Sequence, residues 1–264
     1  DQVQSICFLV AFGACIIGKI CGMGGGVIIK PALDALGIMQ VTEINFLSGC
    51  TVLGMTCWSV GKSMVRHESQ IDLSISTPLA IGAAVGGMAG KQLFSAVAGL
   101  FANADTAGGI QAALLCTATF ATLLYTIRKD RLTMLQVRNP AVCVLIGLGL
   151  GMLGTFLGIG GGPFNMAVLF FFFSMPTKVA AQNSLYIILI SQSVGIITTA
   201  VTDSIPTLSI ILLCGMVLCG VLGSEAGGRI NKRLSDRQAT LLFEGSMLLV
   251  MVLSACNIYR FLLK

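Results

Sequence analysis

Charge is scarce in this chain, and so is most of what marks a soluble enzyme. Only 10% of its 264 residues are Asp, Glu, Lys or Arg, against 55% hydrophobic. A soluble domain of this size needs a far more charged surface, which excludes that class. Histidine occurs once, as His67 in a charged segment, and no role is assigned to it. The ten cysteines contain no Cys-x-x-Cys pair, and all but a few lie inside apolar segments. That spacing argues against a disulfide framework, a zinc site or a thiol oxidoreductase, and reduced cysteines packed as small hydrophobes account for them. No nucleophile, metal cluster or cofactor motif stands out, so the sequence predicts no catalytic residue, no metal, no cofactor and no enzyme. Long polar stretches are missing too. Gly61 to Asp72, Arg128 to Asn139 and Arg229 to Gln238 are the longest, and each is of connector length. Residues 1–264 therefore read as one membrane domain. The first apolar run opens with Asp1 and Gln2 and ends in glycines, unlike a signal peptide, so it is expected to belong to the mature fold.

What the chain does have is a series of apolar blocks of about membrane-spanning length, separated by short charged clusters. The fold class is all-α, a polytopic membrane protein surrounded by lipid bilayer. The net charge of +5 sits in the loops, where it sets orientation, and no nucleic acid partner is expected. No oligomeric state is implied.

The sequence also repeats itself. Gly18-Lys19-Ile20-Cys21-Gly22-Met23-Gly24-Gly25-Gly26 aligns with Gly154-Thr155-Phe156-Leu157-Gly158-Ile159-Gly160-Gly161-Gly162 at an offset of 136, which also pairs Ser48 with Ser184. Gly82-x4-Gly87-x2-Gly90 matches Gly215-x4-Gly220-x2-Gly223 at an offset of 133. Two copies of one unit follow, the first over about 1–127 and the second over about 140–264, joined by a linker at 128–139. Each copy reads as a broken apolar hairpin followed by three spans. The first hairpin covers about Val3 to Leu36, with spans at about Glu43 to Val60, Leu73 to Phe94 and Gly108 to Ile127. The second covers about Ala141 to Ser174, with spans at about Val179 to Val201, Thr207 to Gly227 and Ala239 to Phe261. Adjacent glycines break each hairpin because they lose too much backbone entropy to stay helical.

If each hairpin enters and leaves on one side, the connectors, Lys178 and Arg229 to Arg237 share a face that carries eleven of the sixteen Lys and Arg residues. The positive-inside bias makes that face cytoplasmic and places both termini outside the cytoplasm. Three crossings per unit then make the repeat an inverted one, an arrangement common in secondary transporters.

A broken helix inside a membrane is tolerated only where protein or a water-lined cavity shields it. Fresh helices begin at Val27 and at Pro163, and their free N–H groups and dipoles point inward, a ready site for a small anion. Gly22, Gly24, Gly25, Gly26, Gly158, Gly160, Gly161 and Gly162 would form it. The alternative is that these glycines only allow close helix packing, which is the reading favoured for the Gly82 and Gly215 series. Lys19 would either face the anion or snorkel or pair with a carboxylate such as Glu244; Lys30 and Lys91 would snorkel or form structural pairs. Among the polar residues in the spans, Ser48, Ser184, Asn183 and Gln192 are the leading candidates for the anion oxygens, with interhelical hydrogen bonding as the alternative. Glu225 and Glu244 are the acids placed deepest, candidates for proton coupling, and Glu225 could instead pair with Arg229.

The two segments Gly22-Met23-Gly24-Gly25-Gly26, with Pro31 downstream, and Gly158-Ile159-Gly160-Gly161-Gly162-Pro163 together resemble the TauE/SafE family of sulfite and organosulfonate permeases. The resemblance covers nearly the whole chain. It implies a transporter that moves sulfite, an organosulfonate or another small anion across a bacterial inner membrane. A non-sulfur organic anion such as a small carboxylate, and a passive anion channel, remain as alternatives. Lys19 opposite Thr155, and Pro31 opposite Ala167, make a two-fold symmetric site an unlikely product of this sequence.

Cysteine labelling from each side of sealed vesicles tests the orientation. Gly61 to Asp72, Arg128 to Asn139 and Arg229 to Gln238 should all label from the cytoplasm. Finding the last two on opposite faces would remove the inverted repeat.

Overall fold

The computed structural model describes residues 2–100, 104–128, 135–202 and 205–262, and among them there are ten helices and no strand. In chain order these are α1 (Gln2–Cys21), α2 (Gly26–Leu36), α3 (Val41–Val65), α4 (Leu73–Ala98), α5 (Ala104–Arg128), α6 (Pro140–Phe156), α7 (Gly162–Phe173), α8 (Thr177–Val201), α9 (Ile210–Asn231) and α10 (Asp236–Leu262). Asp1 and most of the linker, residues 129–134, lie outside the described residues.

The apolar blocks become the helices that their lengths dictate, and local signals set the ends. Asp72 caps α4 by accepting from the Ser74 amide at 3.0 Å, and Asn139 caps α6 ahead of Pro140. Gly37 ends α2 in the left-handed conformation, where the lack of a Cβ removes the steric cost. Several helices run a turn past their apolar stretch. α3 continues through Lys62 and Ser63 to Val65, and a cation in a last turn is favoured by the helix dipole.

Among the described residues, seven helices are long and apolar enough to cross a membrane: α1, α3, α4, α5, α8, α9 and α10. The sequence leads to six spans and two hairpins, and α1 makes the difference. Its 20 residues extend about 30 Å, the thickness of the hydrocarbon core, whereas α2, α6 and α7 are too short for that.

Close backbone contact between the two halves organises the bundle. The most extensive pairing joins α4 to α6, and α1 pairs next most extensively with α9. A Cβ at Gly82 would lie 2.1 Å from the Val144 carbonyl oxygen, one at Gly86 2.0 Å from that of Leu148, and one at Gly90 2.4 Å from that of Met152. Residue numbers rise together along this seam, so α4 and α6 run in the same direction. α1 and α9 do likewise, with Phe8 against Gly215, Phe12 against Gly223 and Ile16 against Gly227. Small residues thus bring helices close enough for dispersion and weak backbone contacts to hold them without a hydrophobic driving force.

Contacts between helix ends sort the connectors by face. Lys178 Nζ donates to the Asn231 carbonyl at 2.8 Å, the Asp236 carboxylate accepts from the Thr177 and Lys178 amides, and Lys232 pairs with Glu68. The Leu135 and Val137 amides donate to Phe171 and Phe172 at the end of α7. Residues 66–72, 135–139, 174–178 and 231–236 therefore share one end of the bundle, called here the charged face. At the other end, Arg260 donates to the Asp34 carbonyl and packs on Gly37.

Gly86→Val should break the α4/α6 seam, costing at least the about 1–3 kcal/mol of a typical overpacked core and lowering the melting temperature in detergent. Gly149→Ala, on α6 with nothing within 4 Å of its added carbon, should leave stability unchanged or raise it.

Candidate functional site

Each hairpin breaks where glycine takes φ values that other residues avoid. Gly22 and Gly24 sit at φ 69 and 70, and Gly158, Gly160 and Gly161 at 73, 69 and 107. Pro163 follows the second break within the first turn of α7, as its fixed φ and missing N–H favour. The two breaks meet. A Cβ at Gly26 would stand 3.6 Å from the Ile159 carbonyl oxygen, and one at Gly162 would stand 3.2 Å from that of Met23.

The freed backbone groups are only partly re-satisfied. Ser184 Oγ donates to the Gly22 carbonyl at 2.5 Å, Gln111 Nε2 donates to that of Phe156 at 2.8 Å, and the Ile159 and Gly160 amides fold back onto the Gly154 carbonyl. The amides of Gly26, Gly161 and Gly162, at the starts of α2 and α7, make no hydrogen bond among the described residues.

Beside them lies a cavity of about 390 Å³. Gly26, Ser48, Gly158, Gly160, Gly161 and Gln192, all singled out from the sequence, line it. Its donors include two side chains that are almost wholly buried and make no hydrogen bond among the described residues: those of Ser48, 3% exposed, and Asn165, 2% exposed. The Gln192 carboxamide leans on the break, where a Cβ at Gly160 would come within 2.0 Å of Nε2. Phe46, Val52, Met88, Leu150 and Ile187 give the rest of the wall an apolar character.

Other candidates fall elsewhere. Gly22 packs on Ala181, Gly24 on Val52 and Ile188, Gly25 on Cys15 and Gly162 on Val27, so these four shape the breaks without lining the cavity. Asn183 spends both ends of its carboxamide on the connector: Oδ1 accepts from the Asp72 amide and Ser76 Oγ, and Nδ2 donates to the Gln70 and Val179 carbonyls. Ser184 is committed to Gly22. Glu244 is half-buried midway along α10 and touches neither cavity.

Lys19 lies in a second space of about 280 Å³ at the charged face, with Trp58, Ser59, Lys62, Arg66, Glu225 and Lys232. Its ammonium donates to Ser59 Oγ at 2.5 Å and not to Glu244. Glu225 takes Lys62 at 2.5 Å, Trp58 Nε1 at 2.9 Å and Arg229 at 3.2 Å. Beyond the helices, a hydrogen bond from Lys232 and its charge hold the Glu68 carboxyl below the usual carboxylate range.

Three cavity residues escaped the sequence reading. Lys91 reaches the cavity wall and donates to Thr199 Oγ1 at 2.7 Å, and Gly87, grouped there with the packing glycines, lines the cavity against Thr155, whose Oγ1 would lie 3.1 Å from an added Cβ. Asn165 carried a usable signal, a carboxamide in the first turn of an otherwise apolar half-helix. Lys30 instead forms a buried pair with Asp34 at 2.9 Å.

The comparisons with known proteins agree with this architecture. Over 279 aligned residues the chain is 24% identical to the probable membrane transporter protein YunE of Bacillus subtilis (strain 168), with 97% of each chain covered. No solved structure matches it. The family described as sulfite exporter TauE/SafE matches residues 7–255, nearly the full length, and the chain is a membrane transporter belonging to that family.

Proposed function

We propose that the protein is a secondary active transporter of a small sulfur oxyanion, sulfite or an organosulfonate, across a bacterial inner membrane. The observation that carries this reading is the gathering of unpaired side-chain donors, two of them buried, where the two glycine breaks meet. Ser48, Asn165 and Gln192 stand there beside the free amides of Gly26 and Gly161, with the Lys91 ammonium on the same wall. A sulfonate presents three oxygens and one negative charge, which such a set of donors can divide among them. The volume suits a small ligand, and the apolar wall favours an anion that carries a short carbon chain over a bare one. The family's description as a sulfite exporter points to the same chemistry.

Two copies of one unit, inverted with respect to each other, fit the pairing of α1 with α9 and of α6 with α4. In this arrangement both termini are extracytoplasmic and the charged face is cytoplasmic. Glu225 and Glu244 are the carboxylates through which protons could be coupled. Glu225 would first have to leave its three donors.

Thermal-shift screening of the purified protein separates the substrate classes, because a ligand that binds only the native state raises its melting temperature. Short-chain sulfonates and sulfite should stabilise it, and a larger shift with carboxylates would overturn the choice of sulfur anion. Ser48→Ala and Gln192→Ala should each weaken binding by about 1.5–3 kcal/mol, the range for a hydrogen bond to a charged group. Gly160→Ala should abolish it by driving a methyl into Gln192. In proteoliposomes the anion should accumulate against its gradient, and a passive channel would fail that test.

A further inference from the structure

The space at the charged face occupies the same place in one repeat as the cavity does in the other. At the offset of 136, Lys19, Ser59 and Lys62 fall on Thr155, Gly195 and Thr198, and at the offset of 133 Ser224 falls on Lys91. The first member of each pair lines the charged-face space and the second lines the cavity. Two duplicated clefts, one for each end of the bundle, are what an inverted repeat produces when both copies keep the same local architecture.

The charged-face copy differs in electrostatics. Five cations line it, Lys19, Lys62, Arg66, Arg229 and Lys232, against two carboxylates, Glu68 and Glu225. Lys19, Lys62 and Arg229 lie in the last turns of their helices, where the dipole favours a cation, and that accounts for their positions. It does not account for the convergence of donors. The Trp58 indole N–H and the Lys62 ammonium both turn onto Glu225, a carboxylate supplied from α9 across the interface with α3. An N–H donor and an ammonium on one anionic group make up a set that an external oxyanion of the same charge can take over.

We propose that this vestibule is a second binding station for the transported oxyanion, and that the Glu225 carboxylate holds the donors, Trp58 and Lys62, that the anion takes when it binds. The inference rests on the reading of the protein as an anion transporter. The chemistry is that of a singly charged oxyanion, which a soluble sulfonate or an anionic lipid headgroup could each provide.

The chain contains a single tryptophan, Trp58, so its emission reports on this site alone. Protein in nanodiscs of zwitterionic lipid, formed with a tryptophan-free scaffold, is titrated with ethanesulfonate. A saturable change in Trp58 emission is expected. Lys62→Met should weaken the apparent affinity about tenfold, the scale of one charge-assisted hydrogen bond, and Lys62→Arg should recover part of it. Glu225→Gln should tighten binding, because it removes the competing charge, and a misfolded variant cannot bind more tightly. Emission that is indifferent to ethanesulfonate, or affinity unchanged in both Lys62→Met and Glu225→Gln, would overturn the proposal. So would a response elicited only by phosphatidylglycerol in the nanodisc, which would make the vestibule a lipid site. Uptake of the anion into proteoliposomes with a silent Trp58 would leave the transport reading standing and remove only this second station. Absence of uptake would remove the transport reading itself.

Discussion

Inside hydrocarbon every backbone N–H and C=O requires a partner, because no water is present to supply one. Two helices of this protein are nevertheless broken within an apolar bundle, and the rest of the structure is arranged around that constraint. Where the chain turns, carbonyls are taken up by Ser184 and Gln111, and two amides fold back on Gly154. Among the groups that stay unsatisfied are the amides of Gly26 and Gly161 at the starts of the half-helices, two residues that line the cavity. Groups that would be a liability in a bilayer thus belong to residues that border a cavity.

Holding the breaks together falls to the interface between the halves. α6 packs on α4 and α1 packs on α9, so each half clasps the other through its hairpin. The backbones approach so closely that a single added carbon at Gly86 or Gly147 would collide with a carbonyl oxygen. Side chains play a smaller part here than in a soluble core, since lipid tails are as apolar as leucine and burial alone brings no advantage to a membrane interface.

The two clefts are lined at positions related by the same sequence offsets, and they are unlike in chemistry. Where one copy has Lys19 the other has Thr155, and where one has Ser224 the other has Lys91. The cavity is consequently walled by apolar side chains with neutral donors and one ammonium, while the vestibule is a network of ion pairs centred on Glu225. Through Trp58 and Lys62, Glu225 ties α9 to α3 at this end in partly exposed contacts of small individual worth. The two spaces therefore offer different chemistry.

The apolar blocks, glycine runs and offsets in the sequence already determined the all-helical class, the two broken hairpins and the position of each following span to within a few residues. They did so because the requirement to satisfy backbone groups in lipid leaves a long apolar block few options besides a helix, and leaves a glycine run there few options besides a break. Six of the candidate residues, Gly26, Ser48, Gly158, Gly160, Gly161 and Gln192, were legible for the same reason, being polar or backbone-exposing groups within apolar surroundings. Only the tertiary structure decided which polar side chains were free and which were spent. Asn183 and Ser184 look like Gln192 and Ser48 in sequence, but their partners come from residues more than a hundred positions away, at Asp72, Ser76 and Gly22. Lys19 and Lys91 likewise share an apolar context, and only the packing of α1 on α9 and of α4 on α6 carries the first to the charged face and the second into the cavity, since a lysine's neighbours across a helix interface are fixed by that interface and not by its own segment.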